Sequence, residues 1–420
     1  MISQLIFLII FAGLFSFLAY RETDWALGIT IILLPTYLIR FTNNISPFTL
    51  LEVIIVLLFV VWLIKTIKQK EKIFWSNKIL LIAFIAAALL ATFTSPDLRQ
   101  ALGLFKAYFL EPALFFLVLI NVIKSKKQIK LISWALGFLL VWLSIYGAVQ
   151  FFTGVGIPDP WYEQAGRRIV SVYEYPNALG LILAPIIAYF VALIARVKFF
   201  NRQTFWWGVI IIMLGVFALL AAVSQGAWLG LLLAMIFLSF FIFPWKKILL
   251  VLLLVTITAF AFPQTRDYLM PLITLTDVSG DVRKVMWQGT WNLLKARPLL
   301  GAGLAGFPHY YEQYRLIKHT EFLLYPHNIG LNFWAELGIF GLLVVIYALS
   351  TFFRTGFRLL KTKNLDYNWT IALMTAMVCL IGHGLVDVPY FKNDLAILFW
   401  VFFGMMTIIW RWQQDASLSK

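Results

Sequence analysis

One histidine and a scatter of arginines carry the chemical interest of this chain. In the run Pro326-His327-Asn328-Ile329-Gly330-Leu331-Asn332-Phe333-Trp334-Ala335-Glu336 the histidine stands at the head of an apolar stretch. Imidazole titrates near neutrality, which suits a general base acting on a hydroxyl. Asn328, Asn332 and Glu336 recur every four residues. On a helix they form one polar stripe, which must face protein or water rather than lipid. A histidine cap followed by an interhelical hydrogen-bonded seam explains the same pattern without chemistry. The arginines stand in two polar segments. Arg167 and Arg168 adjoin within 153–176, and Arg266, Arg283, Lys284, Lys295, Arg297, Arg315 and Lys318 lie within 263–327. A guanidinium donates two parallel hydrogen bonds to phosphate, so these segments suit an anionic, lipid-linked group. Contact with anionic headgroups, or solvated helix faces, is the plain alternative. The glycine-rich stretch from Arg297 to Phe307 can bring backbone N–H groups close to phosphate. No strand precedes it and no Walker lysine follows, so a simple loop explains it as well.

The elements that must position these residues are membrane helices. The chain has 420 residues, 62% hydrophobic and 13% charged, with mean hydropathy +0.88. Soluble domains run nearer half apolar and a quarter charged. This composition excludes a soluble enzyme, a disordered chain and a disulfide scaffold. The lone cysteine, Cys379, sits in an apolar run and reads as a packing residue. Apolar runs fall at about 3–20, 25–41, 48–67, 77–94, 101–122, 128–152, 177–196, 204–223, 226–243, 246–262, 328–353, 369–388 and 395–411. A crossing helix needs about 20 such residues. The first two runs are short and can form one broken unit, so the expectation is 12–13 transmembrane helices in an all-α polytopic membrane protein. No cleavable signal peptide is expected at the N-terminus.

The net charge of +15 comes largely from clusters between these runs: Lys65 to Lys72, Lys124 to Lys130, Arg196 to Arg202, Lys246 and Lys247, and Arg354 to Lys363. Each follows the last by two spans, so all fall on one side, expected to be the cytoplasm. This distribution points to membrane topology and not to nucleic acid. Segments 153–176 and 263–327 then face outward, and their arginines oppose the orientation signal. The second segment is long enough for a helical cap, with an amphipathic run at 281–297. The whole of 1–420 is read as one integral membrane domain, with 263–327 as a large extracytoplasmic subdomain within it.

The pairing of PLLGAGLAGF with PHNIGLNFWAELGIFG resembles the signature of the O-antigen ligase and polymerase family. RIVSVYEYPNALGLILAPI, GDVRKVMWQGTWNLL and GHGLVDVPYFKNDLAILFW, in that order, are similar to other parts of it. The resemblance covers roughly residues 130–410. It implies a GT-C-like glycosyltransferase that moves a glycan from undecaprenyl diphosphate to an acceptor hydroxyl on glycan, lipid or protein. It implies an active site on the outer face of the plasma (inner) membrane, with no metal and no cofactor. By position, His327 is the implied base and Arg168 and Arg283 the implied diphosphate ligands, with Arg297 and Arg315 as further candidates. Asn328, Glu336 and Gln225 fall in supporting positions. One departure stands out: many members carry Ser-Arg-Gly where this chain has Ser224-Gln225-Gly226. An expected cation is missing there.

Two other functions remain open on sequence. Arg21-Glu22-Thr23-Asp24 offers a Glu-x-Asp pair of the kind that binds metal in transferases using polyprenyl-monophosphate sugars. A transporter of a small anion or lipid-linked sugar would use intramembrane polar residues such as Glu111 and Asp387 as a path.

Overall fold

A computed structural model describes residues 2–41, 47–162, 166–195, 202–318, 324–362 and 367–418. Arg196, Lys198 and Lys363, which belong to the basic clusters, lie outside the described residues. The helices in chain order are α1 (Ile2–Arg21), α2 (Thr23–Ile32), α3 (Leu50–Lys68), α4 (Lys78–Phe93), α5 (Leu98–Phe105), α6 (Glu111–Val122) and α7 (Lys126–Thr153). There follow α8 (Pro176–Ile194), α9 (Arg202–Ala222), α10 (Gln225–Ile242), α11 (Trp245–Ala261), α12 (Pro263–Thr274), α13 (Val278–Ala296) and α14 (Phe307–Tyr311). The last three are α15 (Ile329–Lys361), α16 (Tyr367–His383) and α17 (Asn393–Leu418). A 3-10 turn (Leu34–Leu38) and a short antiparallel pair, β1 (Arg40–Phe41) with β2 (Phe48–Thr49), separate α2 from α3. A π-helical turn (Lys106–Leu110) joins α5 to α6.

Every apolar run of the sequence is helical, but they are unequal. Among the described residues, eight helices are long and apolar enough to cross a membrane, counting α5–α6 as one. The difference from the expected 12–13 has local causes. Run 25–41 breaks into the end of the ten-residue α2 and a 3-10 turn, with Pro35 in the first positions of that turn. α4 and α16 have only 16 and 17 residues. α11 meets the following helices at a 94° bend.

Capping residues set the starts. Thr49 with Glu52 and Ser125 with Gln128 form capping boxes. Asp277 accepts from the Gly280 amide, so α13 begins earlier than the amphipathic run alone indicates. Of the apolar positions at helical spacing in the sequence, Val285, Met286, Gly289 and Leu293 are buried, while Val282 is half-buried. With Ala302, Phe307, Tyr311 and Ala335 of α15, this face of α13 forms a small second core apart from the main one.

Two glycine contacts place the helices that matter. A Cβ at Gly230 would lie 2.6 Å from the Cys379 carbonyl, and one at Gly226 would lie 2.7 Å from the His383 ring. Only small residues let α10 lie this close to α16. In α15 the chain kinks at Gly338, whose φ of 70° is the left-handed region. The glycine-rich loop docks into this kink, with the Ile339 amide donating to Leu299 O at 3.1 Å and the Ala302 amide to Ala335 O at 2.6 Å.

α7 has 28 residues, so its ends lie about 42 Å apart. Near its start, Gln128 donates to Asp24 Oδ2 at 3.1 Å, and Lys65 donates to the Tyr20 carbonyl at 3.1 Å. Near its end, Arg167 donates to the Phe151 carbonyl at 2.9 Å. The turn holding Glu22 and Asp24 therefore shares an end with the Lys65 and Lys124 clusters. The arginines of 166–175 occupy the opposite end.

Candidate functional site

Three helices begin at one small cavity of about 210 Å³. Its wall includes Pro176 and Asn177 at the start of α8, Gln225 at the start of α10 and Ser279 at the start of α13. Helix N-termini present unpaired N–H groups and about half a positive charge each, which makes them natural anion sites. Arg168 and Arg283 line the same cavity, together with Trp161, Tyr175 and Val223.

Both guanidiniums are held from behind. Arg168 donates from Nε to the Ala222 carbonyl and from one terminal nitrogen to the Val223 carbonyl, each at 3.0 Å. Those carbonyls close α9, where cations are favoured. Its guanidinium also lies 4.9 Å from the Trp161 ring centre. Burial lowers the Arg168 pKa from its ordinary value, yet a guanidinium stays protonated throughout the physiological range. Arg283 donates from Nε to the Val386 carbonyl at 3.0 Å. In both residues the remaining N–H groups are left for the cavity.

The turn after α16 ties this cavity to the histidine. Asp387, next to Val386, accepts from His327 Nδ1 at 3.2 Å and from the Val388 amide at 2.9 Å. Burial pushes the Asp387 carboxyl up, but the His327 hydrogen bond and the neighbouring imidazoles outweigh this and leave it below the ordinary value. It is an ionised acceptor, so His327 Nδ1 is the donor in this contact, and Nε2 lies on the other side of the ring. The side chain of His327 is 23% exposed, against 2% for Asp387. Its backbone holds φ at 47°, rare for a non-glycine residue. Three contacts enforce that geometry. Trp287 donates to the Pro326 carbonyl at 2.9 Å, Asn328 Nδ2 to Leu385 O at 3.0 Å and the Ile329 amide to Gly384 O at 2.8 Å.

The residues singled out in the sequence thus divide. Arg168, Arg283 and Gln225 meet in one cavity, and His327 is joined to it through the 384–388 turn. Asn328 caps α15 through the Leu331 amide at 3.0 Å and so aims His327 without facing the cavity. Glu336 accepts from the Ala305 amide at 2.6 Å and fixes the glycine loop. Arg297 and Arg315 line neither this cavity nor the next. Arg297 donates to the Gly301 carbonyl at 2.7 Å and stacks on Tyr310, and Arg315 pairs with Glu312 at 2.7 Å. The glycine loop is a clamp, since its amides at Gly301, Ala302, Leu304, Ala305 and Gly306 all find protein acceptors. Asp387 was missed as a partner of the histidine. The one signal for it was its place in the GHGLVDVPY stretch, far from His327 in sequence. Among the described residues, no three His, Cys, Asp or Glu side chains cluster closely enough to hold a metal ion.

A second cavity, of about 520 Å³, adjoins the first through Tyr175, which lines both. Tyr175 and Tyr325 share a hydroxyl contact of 3.1 Å, and the Tyr325 ring lies 4.7 Å from the His327 ring.

Repeated apolar helices around an arginine-lined cavity define a multi-pass membrane protein with a polar site at one end of its bundle. Residues 209–346 match the family described as O-antigen ligase. The matched stretch holds Gln225, Arg283, Arg297, Arg315, His327 and Glu336, while Arg168 and Asp387 lie outside it. Among curated proteins no sequence matches the chain. The family match supports glycosyl transfer in a membrane.

Proposed function

We propose that this protein transfers a glycan from undecaprenyl diphosphate to an acceptor hydroxyl at the extracytoplasmic face of the plasma membrane. The observation that carries the reading is the convergence of Arg168, Arg283 and three helix N-termini on one cavity. A diphosphate seated there would receive forked hydrogen bonds from two anchored guanidiniums and would lie at the starts of α8, α10 and α13, although Pro176 has no N–H and Asp277 caps α13. Gln225 adds a neutral donor. The helix termini and Gln225 together offset the cation that the Ser-Arg-Gly members carry at this position.

The reaction is a displacement at the anomeric carbon. The acceptor oxygen forms a bond to that carbon as His327 Nε2 takes its proton. The bond from carbon to the phosphate oxygen breaks, and the electron pair leaves with the lipid diphosphate. Arg168 and Arg283 stabilise the charge developing on that oxygen, where preorganised donors contribute most. Asp387 holds the imidazole in the basic tautomer and stabilises its protonated form, as the buried carboxylate does in hydrolase triads. No metal enters this scheme. The basic clusters at Lys65 and Lys124 mark the other end of the bundle, which supports an outward-facing site.

The metal-dependent reading loses ground because Glu22 and Asp24 sit at that other end, with Asp24 already bonded to Gln128. The transport reading drew on Glu111 and Asp387, and the pairing of Asp387 with His327 accounts for the second of these without a path. The test is transfer from an undecaprenyl-diphosphate glycan to a panel of acceptors in purified membranes. His327→Ala is expected to abolish it with the protein still inserted. Near-parental transfer by that variant would remove His327 as the base.

A further inference from the structure

The 520 Å³ cavity beside His327 shares a wall with a larger one of about 1030 Å³. Tyr37, Arg40, Gln100, Leu104, Tyr108 and Asn393 line both. Besides the buried Glu111 carboxylate on the larger cavity, two residues lining this space carry a buried polar atom with no hydrogen-bond partner: the Tyr37 hydroxyl and Asn332 Oδ1. The two residues are 6% and 1% exposed. Buried polar groups in folded proteins are nearly always paired, so two orphans on one cavity point to a ligand that brings hydroxyl groups. The rest of the wall fits the same chemistry. Tyr108 and Phe391 give ring surface for the apolar face of a sugar. The π-helical turn at Lys106–Leu110 holds Tyr108 and Lys106 against the cavity, and such bulges recur at functional sites.

The larger cavity also excludes the most obvious rival occupant. It carries Arg40, Asp97, Arg99 and the Glu52–Lys106 ion pair at 2.7 Å. A polyprenyl tail gains nothing from that wall and would leave those charges desolvated. A hydrated sugar chain would not. Most of the wall lies outside the stretch that matches the family, with Ala305, Pro308, Leu324, Tyr325, Asn332 and Glu336 inside it.

We propose that the two cavities form one trough that binds the sugar chain of the acceptor. Asn332 Oδ1 and the Tyr37 hydroxyl hydrogen-bond its hydroxyls, and Tyr325 borders the step where one of them meets His327. This inference rests on the reading of His327 as the base. Its test needs no donor. The full-length protein in lipid nanodiscs is titrated with short neutral oligosaccharides of hexoses and N-acetylhexosamines, followed by saturation-transfer NMR. Saturable binding is expected, weakened about three- to tenfold in Tyr37→Phe and again in Asn332→Leu, the range for losing one neutral hydrogen bond. Tyr37→Phe removes a hydroxyl with no protein partner, so its thermal unfolding should match or exceed the parent's. A binding loss in that variant then reports on the ligand and not on folding. Absence of saturable binding to the parent, or equal affinity in both variants, overturns the trough. Retained transfer in His327→Ala would sink the catalytic reading alone and leave saccharide binding unaffected.

Discussion

Arg283→Lys is the sharpest perturbation of the proposed site, because it keeps the charge and removes the geometry. In the parent, Arg283 Nε is engaged with the Val386 carbonyl at 3.0 Å while the other nitrogens remain for the cavity. A lysine ammonium has a single nitrogen and cannot hold the 384–388 turn and grip a phosphate in parallel. The loss is one hydrogen bond involving a charged group, about 1.5–3 kcal/mol. If it is felt mainly in the transition state, that is about a 10- to 150-fold fall in rate, at 1.36 kcal/mol per tenfold. The assay is transfer from a lipid-diphosphate glycan with donor concentration varied. A fall in kcat with donor KM little changed marks a contact made as charge develops, whereas a rise in KM alone marks ground-state binding. Activity within twofold of the parent at equal protein level would refute the argument, since a cavity that binds diphosphate must register the lost fork.

Four further outcomes follow from the same contacts. Asp387→Asn keeps a hydrogen-bond acceptor for His327 but loses the charge that supports its protonated form. A fall of about tenfold or more in kcat is expected, with the acidic limb of the pH–rate profile displaced to lower pH, and an unmoved profile would count against the pairing. Arg168→Lys should lower transfer on the same scale as Arg283→Lys, because two carbonyl contacts and the Trp161 stack are lost together. Gly226→Ala puts a methyl group 2.7 Å from the His383 ring. Overpacking of this kind costs about 1–3 kcal/mol, seen as a lower unfolding temperature, and unchanged stability would show that α10 can shift from α16. Arg297→Lys should reduce thermal stability, by loosening the loop at Gly301, while donor KM stays near the parent's. A large rise in KM would instead give Arg297 a direct role.

Legibility in the sequence followed the range of each interaction. Apolar runs and lysine clusters are local patterns, and they marked the helices and the end opposite the site. The amphipathic spacing of Val285, Met286, Gly289 and Leu293 likewise gave the buried face of α13. Span lengths were less legible, since the break at Pro35 and the bend after α11 depend on packing as well as on hydropathy. At the site, residue type and the family resemblance selected Arg168, Arg283 and His327, but not what holds them. The Asp387 carboxylate lies 60 residues beyond His327, and only the stitched 326–329 and 384–388 turns bring the two together. The convergence of three helix starts was invisible for the same reason. A Pro-Asn pair, a glutamine and a serine carry no mark that they will share a wall. The glycine-rich stretch misled in the other direction, because its amides have the spacing of an anion cradle and instead clamp the kink of α15.

The arginine-lined cavity draws its positive character from guanidiniums and peptide dipoles, and neither changes protonation in any ordinary aqueous environment. The imidazole–carboxylate couple beside it does. Hold on the donor and speed of turnover are thus separate dials. On the proposed mechanism, acidification slows the second and leaves the first in place.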